Sequence, residues 1–177
     1  MGVFFTSDTH FGDPRRLGID HRPFGSIEEH DVALIARWNE TVGPDDEVWH
    51  LGDVAPRYDR ATVTELLAAL NGHKHLIIGN NDSPATTECK LWRGTRHYVE
   101  IVVDGHALVL CHYPFRSWNK MNKGALDLHG HSHGKLKEQP GQFDVGVDVF
   151  DYRPVPLAEI LASRKRQARK GRARGGR

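Results

Sequence analysis

Three short apolar segments in the first half of the chain each run into residues of the kind that bind metals, and the stretches between them read as helices. Gly2–Ser7 carries Val3, Phe4 and Phe5 without polar interruption and ends on Asp8-Thr9-His10; Glu47–Leu51 ends in Gly52-Asp53; His75–Ile78 ends in Gly79-Asn80-Asn81-Asp82. Ser26-Ile27-Glu28-Glu29 fits a capping box with Ser26 as N-cap. The helix that follows runs to about Val42 with Val32, Ile35, Ala36 and Trp38 at helical spacing, and Gly43-Pro44-Asp45-Asp46 stops it. Arg60–Leu70 is a second helix, with Val63, Leu66, Leu67 and Leu70 on one face. The resulting β-α-β-α-β order implies parallel strands joined by right-handed crossovers. Ligands of such sheets bind at the C-terminal ends of the strands, and Asp8, His10, Asp53 and Asn80 all fall there.

The second half changes character. His97–Val103 and Ala107–Cys111 are β-rich and separated by Asp104-Gly105-His106, a hairpin signal, and the second segment ends in His112. Tyr113–Leu126 reads as a long loop. Then comes His129-Gly130-His131-Ser132-His133-Gly134, three imidazoles alternating with small residues. Imidazole is the commonest protein ligand for a transition metal, and His at i, i+2 on extended backbone aims both rings at one locus. Alone, the stretch reads equally well as a His-rich polar turn; the ligand-type residues at the strand ends favour a metal site. Phe143–Val149, with Val145, Val147 and Val149 alternating with Asp144, Gly146 and Asp148, is a further strand, and Pro156–Ala162 begins a last helix.

At 177 residues the chain is long enough for one domain with a full core. No apolar run is long enough to cross a bilayer and no signal-peptide pattern opens the chain. The two cysteines, Cys89 and Cys111, make no disulfide framework, so the expected location is the reducing cytoplasm. The net charge of +1 hides an asymmetry: Ser163–Arg177 holds eight Lys or Arg and no acid, leaving 16 basic against 23 acidic residues in the body. Residues 1–162 are therefore expected to form the domain. Residues 163–177 are expected to be a disordered, solubilising tail, with tethering to nucleic acid through phosphate contacts as the alternative.

The order Asp-x-His, Gly-Asp, Gly-Asn-Asn-Asp, His, Gly-His-x-His resembles the calcineurin-like metallophosphoesterase superfamily, over roughly Val3 to Val149. The phrases Asp8-Thr9-His10-Phe11-Gly12, His50-Leu51-Gly52-Asp53, Leu110-Cys111-His112-Tyr113-Pro114 and Leu128-His129-Gly130-His131-Ser132-His133-Gly134 look like its small single-domain bacterial and phage members. The resemblance implies a four-layer α/β/β/α sandwich, two mixed β-sheets flanked by helices, with two divalent metal ions at the strand ends. By motif, Asp8, His10 and His133 resemble ligands of the first ion, Asn80, His112 and His131 those of the second, and Asp53 the carboxylate that bridges them. Two ions about 3.5–4 Å apart clamp the attacking and leaving oxygens of a phosphoryl transfer, with a bridging hydroxide attacking phosphorus in line. Nitrogen and oxygen ligands without thiolate suit Mn²⁺, Fe or Zn²⁺; family habit favours Mn²⁺.

One position departs from the family. Its usual Gly-Asn-His-Asp or Gly-Asn-His-Glu carries a His that protonates the leaving group or steadies the transition state, and here that position is Asn81. An amide hydrogen-bonds to a phosphoryl oxygen but donates no proton at neutral pH, and general-acid help is worth roughly 10²–10⁴ in rate. A phosphodiesterase is therefore expected over a monoesterase, with nucleotide-type substrates implied by the family. The alternatives are a nucleic-acid-binding protein with a structural metal site and a basic tail, or a protein or small-molecule phosphomonoesterase. Asp82 is expected to orient Asn81, His50 and His129 to support the ligands, and Arg116 to hold the substrate's phosphate, an ordinary solvated loop being the alternative for Arg116. His21, His30, His73, His75, His97 and His106 read as surface or loop residues; Cys111, Trp38, Trp49 and the Leu66–Leu70 stripe read as core.

Overall fold

The computed structural model describes residues 1–137 and 139–163; the basic tail from residue 164 onward lies outside the described residues. Strand β1 (Val3–Thr6) pairs in parallel with β2 (Glu47–His50), β2 with β3 (His73–Ile77), and β3 with β4 (Gly94–Arg96). The last strand, β9 (Val155–Pro156), adds to the free side of β1 in antiparallel sense and makes the sheet mixed. The second sheet has the order β5 (Tyr98–Val103), β6 (His106–Cys111), β7 (Leu126–His129) and β8 (Gln142–Asp144). Its β5–β6 pair is the expected hairpin, turned through Asp104 and Gly105, both at positive φ (48° and 77°) as a tight right-twisted hairpin requires. The β6–β7 and β7–β8 pairs are parallel.

Strand alternation divides the core in two. Phe4, Val48 and Leu76 point to the layer shared with helices α2 (Ile27–Thr41) and α3 (Arg60–Ala69), where Leu34, Trp38, Val63, Leu66 and Leu67 are buried. Phe5, Trp49 and Ile77 point the other way, into a layer filled by Leu108, Leu110, Leu128 and Phe143 of the second sheet and by Leu157 and Ile160 of a helical stretch at residues 157–163. Fully burying one such side chain stabilises the fold by about 1.5–3 kcal/mol. Two mixed sheets face to face with flanking helices are the α/β/β/α sandwich expected. No helix among the described residues is long and apolar enough to cross a membrane.

Helix α2 differs from its sequence reading in one instructive respect. Ser26 caps it as expected, its Oγ accepting from Glu29 N at 3.1 Å, but Glu29 Oε2 reaches back to Gly25 N (2.8 Å), one residue further than the box requires. The buried face is His30, Asp31, Leu34 and Trp38, and Val32 is 68% exposed. A stripe chosen by apolarity alone passes over His30 and Asp31, which are buried because each has polar partners there. Residues read as loop around position 17 form a short helix, α1 (Arg15–Ile19).

Candidate active site

Every ligand-type residue singled out at a strand end lies on one rim of the two sheets. Asp8 and His10 follow β1, Asp53 follows β2, Asn80 follows β3, His112 follows β6, and His131 and His133 follow β7. Asp8, His10, Asp53, His131 and His133 all hold left-handed backbone, with φ of 57°, 49°, 60°, 66° and 49°. Such conformations cost non-glycine residues on the order of 1–3 kcal/mol each and persist only where surrounding bonds over-determine them. Here Asp8 N donates to Gly52 O (2.9 Å), His10 N to Asp53 O (3.0 Å) and His131 N to Asp8 Oδ2 (2.9 Å). The β1, β2 and β7 ends are thereby locked to one another.

Two groups of side chains result. In the first, His10 and His133 rings stack at 5.3 Å between centroids, and His133 Nε2 stands 3.7 Å from Asp8 Oδ1. In the second, His112 Nε2 and His131 Nδ1 lie 3.0 and 2.9 Å from the same atom, Asn80 Oδ1. Asp53 stands between them, Oδ2 at 3.5 Å from His10 Nε2 and Oδ1 at 3.7 Å from His112 Nε2. The first group is buried, Asp8 and His10 both being inaccessible, whereas Asn80 and His131 are exposed, so the site opens on the side of the second.

The polar chemistry of both groups fits a divalent cation. His10 is fully buried, yet neither ring nitrogen has a hydrogen-bond partner, a costly state that a metal bond would relieve. Burial, and then the charges of Asp144 and Asp53, push the Asp8 carboxyl up, while burial and the nearby Arg16 and Arg22 push the His10 imidazole down. His112 Nδ1 donates to Leu51 O at 2.7 Å, and burial holds the ring's pKa low, so its Nε2 carries a lone pair. That lone pair faces the Asn80 carbonyl oxygen, two acceptors converging on one point. His133 is oriented in the same way, Nδ1 donating to Asp148 Oδ2 at 2.7 Å and leaving Nε2 for the site.

The other anticipated residues fall outside this ring of donors. Asn81 approaches it through Asp53, donating Nδ2 to Oδ2 (2.6 Å) and its backbone N–H to Oδ1 (2.8 Å). Asp82 does not orient the Asn81 side chain. Its carboxylate accepts from the backbone N–H groups of Asp53 (3.0 Å), Val54 (2.8 Å) and Gly79 (2.8 Å), tying the β2 and β3 end loops together. Burial still pushes its pKa up to about 6. His50 is buried behind the site: its Nδ1 accepts from Gly52 N, and Nε2 donates to Thr9 Oγ1 at 2.9 Å. Burial lowers its pKa to about 3. His129 is buried and donates Nδ1 to Gly130 O (2.8 Å), bracing the loop that carries His131. Arg116 is exposed on the loop after His112, its carbonyl accepting from Gln139 Nε2.

Sequence reasoning passed over Arg22, Asp31 and Asp148, and it read His30, which is fully buried on α2, as a surface or loop residue. Arg22, in a stretch read as loop, is 3% exposed and uses all five of its N–H groups. They reach Asp148 Oδ1 (2.9 Å) and Oδ2 (2.8 Å), Asp8 O (2.7 Å), Thr9 O (2.8 Å) and His30 Nε2 (2.9 Å). His30 Nδ1 in turn donates to Asp31 Oδ1 at 2.6 Å, and Asp31 Oδ2 accepts from Tyr58 Oη and Gly12 N. No local pattern marks Arg22 for this role. Tyr113, 47% exposed, packs edge-on against His112 and His131 at 5.1 and 4.8 Å between centroids.

Residues 1–145 match the family model of the calcineurin-like phosphoesterase superfamily domain. The chain is 31% identical over 189 residues to the Gene 66 protein of Mycobacterium phage D29, covering 89% of this chain and 93% of that one. It is 33% identical over 167 residues to the uncharacterized protein MJ1445 of Methanocaldococcus jannaschii, covering 90% and 89% respectively. Among solved structures, the protein of unknown function AQ665 from Aquifex aeolicus shares the fold, with a TM-score of 0.70 at 21% identity over 90% of this chain and 97% of that one.

Proposed function

The chain belongs to the calcineurin-like phosphoesterase superfamily, and we propose that within it this protein hydrolyses phosphodiesters, nucleotide-type ones included, with two divalent ions, Mn²⁺ in preference to Fe or Zn²⁺. Membership makes it a metal-dependent phosphoester hydrolase. Asp8, His10 and His133 would hold one ion and Asn80, His112 and His131 the other, with Asp53 shared. Ions bound there supply Lewis-acid polarisation of the phosphoryl group and activation of water near neutral pH. The observation that carries the dinuclear reading is the position of Asp53, one carboxylate whose two oxygens face His10 and His112 at 3.5 and 3.7 Å.

The chain's own residues do the rest. Asn80 and His131, exposed at the rim, give a substrate access to the second group, while burial of Asp8 and His10 keeps bulk water from the first. Asn81 fixes the shared carboxylate through two hydrogen bonds, and its amide supplies no proton to a leaving oxygen. That favours esters whose leaving group departs as a stable anion. Arg116, on the loop after His112, is proposed to meet the far side of the substrate's phosphate.

The test is hydrolysis of bis-p-nitrophenyl phosphate and p-nitrophenyl phosphate by metal-stripped protein to which Mn²⁺ is returned. Diester turnover that needs Mn²⁺ and exceeds monoester turnover is expected. Monoester turnover equal to or above the diester rate overturns the diesterase preference, and absence of turnover on both overturns the catalytic reading.

A further inference from the structure

Arg22 is placed to control one half of the site and not the other. Its guanidinium is closed on every side: one edge grips both oxygens of Asp148, and the remaining N–H groups hold the carbonyls of Asp8 and Thr9 and the ring of His30. Asp8 and His10 flank those carbonyls and both sit at positive φ. Holding the Asp8 and Thr9 carbonyls therefore holds the turn that aims the Asp8 carboxylate and the His10 ring. Asp148 carries the same constraint 126 residues along the chain, because the oxygen that takes Arg22 Nη2 also accepts from His133 Nδ1 at 2.7 Å. The three side chains of the first group thus hang from one guanidinium. Asp20 is the other carboxylate near His133 Nδ1, at 3.4 Å, and it is already matched by Arg16 at 3.2 Å and Lys135 at 2.7 Å.

The second group has ring and side-chain supports of its own, and it meets the first where His131 N donates to Asp8 Oδ2 at 2.9 Å. His112 is set by Leu51 O through its ring and by Gly130 N, which donates to its carbonyl at 3.0 Å. Asn80 Oδ1 meets only His112 and His131 among the described residues. The supports of His112 and Asn80 do not pass through Arg22 or Asp148.

We propose that Arg22, acting through Asp148, is the positioning residue of the Asp8–His10–His133 group alone, so that disturbing it costs the protein one metal and spares the other. The inference rests on the dinuclear reading of the site. Lysine at position 22 keeps the charge but presents a single ammonium, which cannot grip two carboxylate oxygens and two carbonyls at once. Asparagine at position 148 sets an amide N–H against an Arg22 N–H in either orientation, and with Nδ2 in the place of Oδ2 it also offers His133 Nδ1 a donor where it now has an acceptor. That favours the tautomer with the proton on Nε2, the nitrogen the metal needs.

The experiment titrates metal-stripped wild type, Arg22→Lys and Asp148→Asn with Mn²⁺ alone, by calorimetry and by electron paramagnetic resonance, with circular dichroism confirming the fold. Wild type should bind two Mn²⁺ and show a spin-coupled spectrum. Each variant should bind one with wild-type affinity and the second about 10–100-fold more weakly, giving the uncoupled six-line signal at two equivalents. If Arg22→Lys fails to fold, Asp148→Asn decides, since it leaves the guanidinium bonded to the Asp8 and Thr9 carbonyls. Two unweakened sites in the folded variants, or equal weakening of both, overturns the inference while leaving the dinuclear reading intact. A wild type that binds fewer than two ions overturns that reading, and this inference with it.

Discussion

Gly130 stands where the backbone of the β7 loop passes directly under the Asp8 carboxylate, and Gly130→Ala measures how tightly that crossing is fitted. A Cβ added there would collide with Ser7 Oγ and lie 2.6 Å from Asp8 Oδ2 and 2.7 Å from Ser7 Cβ. Carbon atoms rest at about 3.5–4.0 Å from one another, so roughly 1 Å must be found. Neither neighbour can yield cheaply. Ser7 is buried with its hydroxyl donating to Leu51 O at 3.0 Å, and Asp8 is buried and held by His131 N at 2.9 Å. Overpacking of this kind costs about 1–3 kcal/mol. For a chain of this size each kcal/mol is worth about 2–4 °C in Tm, so the metal-free variant should melt roughly 2–12 °C below the parent. Displacing a candidate metal-binding carboxylate by about 1 Å should lower diester turnover by about 100-fold. The control is Gly18→Ala in α1, where an added Cβ meets nothing within 4 Å; it should be neutral or stabilise by about 0.4–1 kcal/mol. Differential scanning calorimetry with turnover on bis-p-nitrophenyl phosphate reads both. A Gly130→Ala protein with parental Tm and turnover would show that the crossing has slack and refute the steric reasoning.

Asn81→His should raise monoester turnover relative to diester turnover, near the lower end of general-acid effects at about 10², because Asp82 is already committed to three backbone N–H groups and leaves the new imidazole unoriented. An unchanged ratio of kcat/KM values for the two ester classes would sink the missing-acid argument. Asp46 is held below the usual carboxylate range by hydrogen bonds from Gly2 N (2.6 Å) and Gly43 N (2.9 Å). A lowered folded pKa contributes stability above the unfolded value, near pH 4, and loses it as the pH falls through the folded one. Asp46→Asn should therefore be destabilised at pH 7 and draw level with the parent as the pH falls below the folded value; a urea-midpoint gap independent of pH contradicts this. Deleting residues 164–177 should leave hydrolysis of a small chromogenic diester unchanged, since every candidate ligand lies at or before His133. A salt-dependent loss confined to nucleic-acid substrates would instead assign the tail a tethering role.

What could be read from the sequence is what is local. β1 announces itself as an apolar run, and β1, β2 and β3 all announce themselves by the ligand-type residues Asp8, Asp53 and Asn80 at their ends, where the ligands of such sheets sit. The hairpin at Asp104-Gly105 is equally local. β7 was hidden because its four residues, Leu126–His129, alternate apolar and polar over too short a run to stand out from the loop before it. β9 is two residues long and is defined only by pairing with β1. Arg22 and Asp148 are joined across 126 residues, and His30 and Asp31 are buried by partners no window of sequence contains. Metal ligands are recognisable by type, whereas the residues that hold them in place are recognisable only by what they touch.

The segment from β8 onward gives the rim a mechanical character. Gln142–Asp144 belongs to the second sheet, but Gly146 bridges to Ser7 and Val147 N donates to Ser7 O at 3.0 Å, so the chain crosses from one sheet to the other within a few residues. The ligand groups straddle the same seam: Asp8, His10, Asp53 and Asn80 come from the first sheet, His112, His131 and His133 from the second. Any ion bound there is gripped from both sides, as a rivet is. Metal uptake would therefore fuse two layers that could otherwise loosen separately into a single unfolding unit. The amides of β6 and β7 would then exchange together with those of β1 and β2, over the core in which Leu110, Leu128 and Phe143 space the sheets.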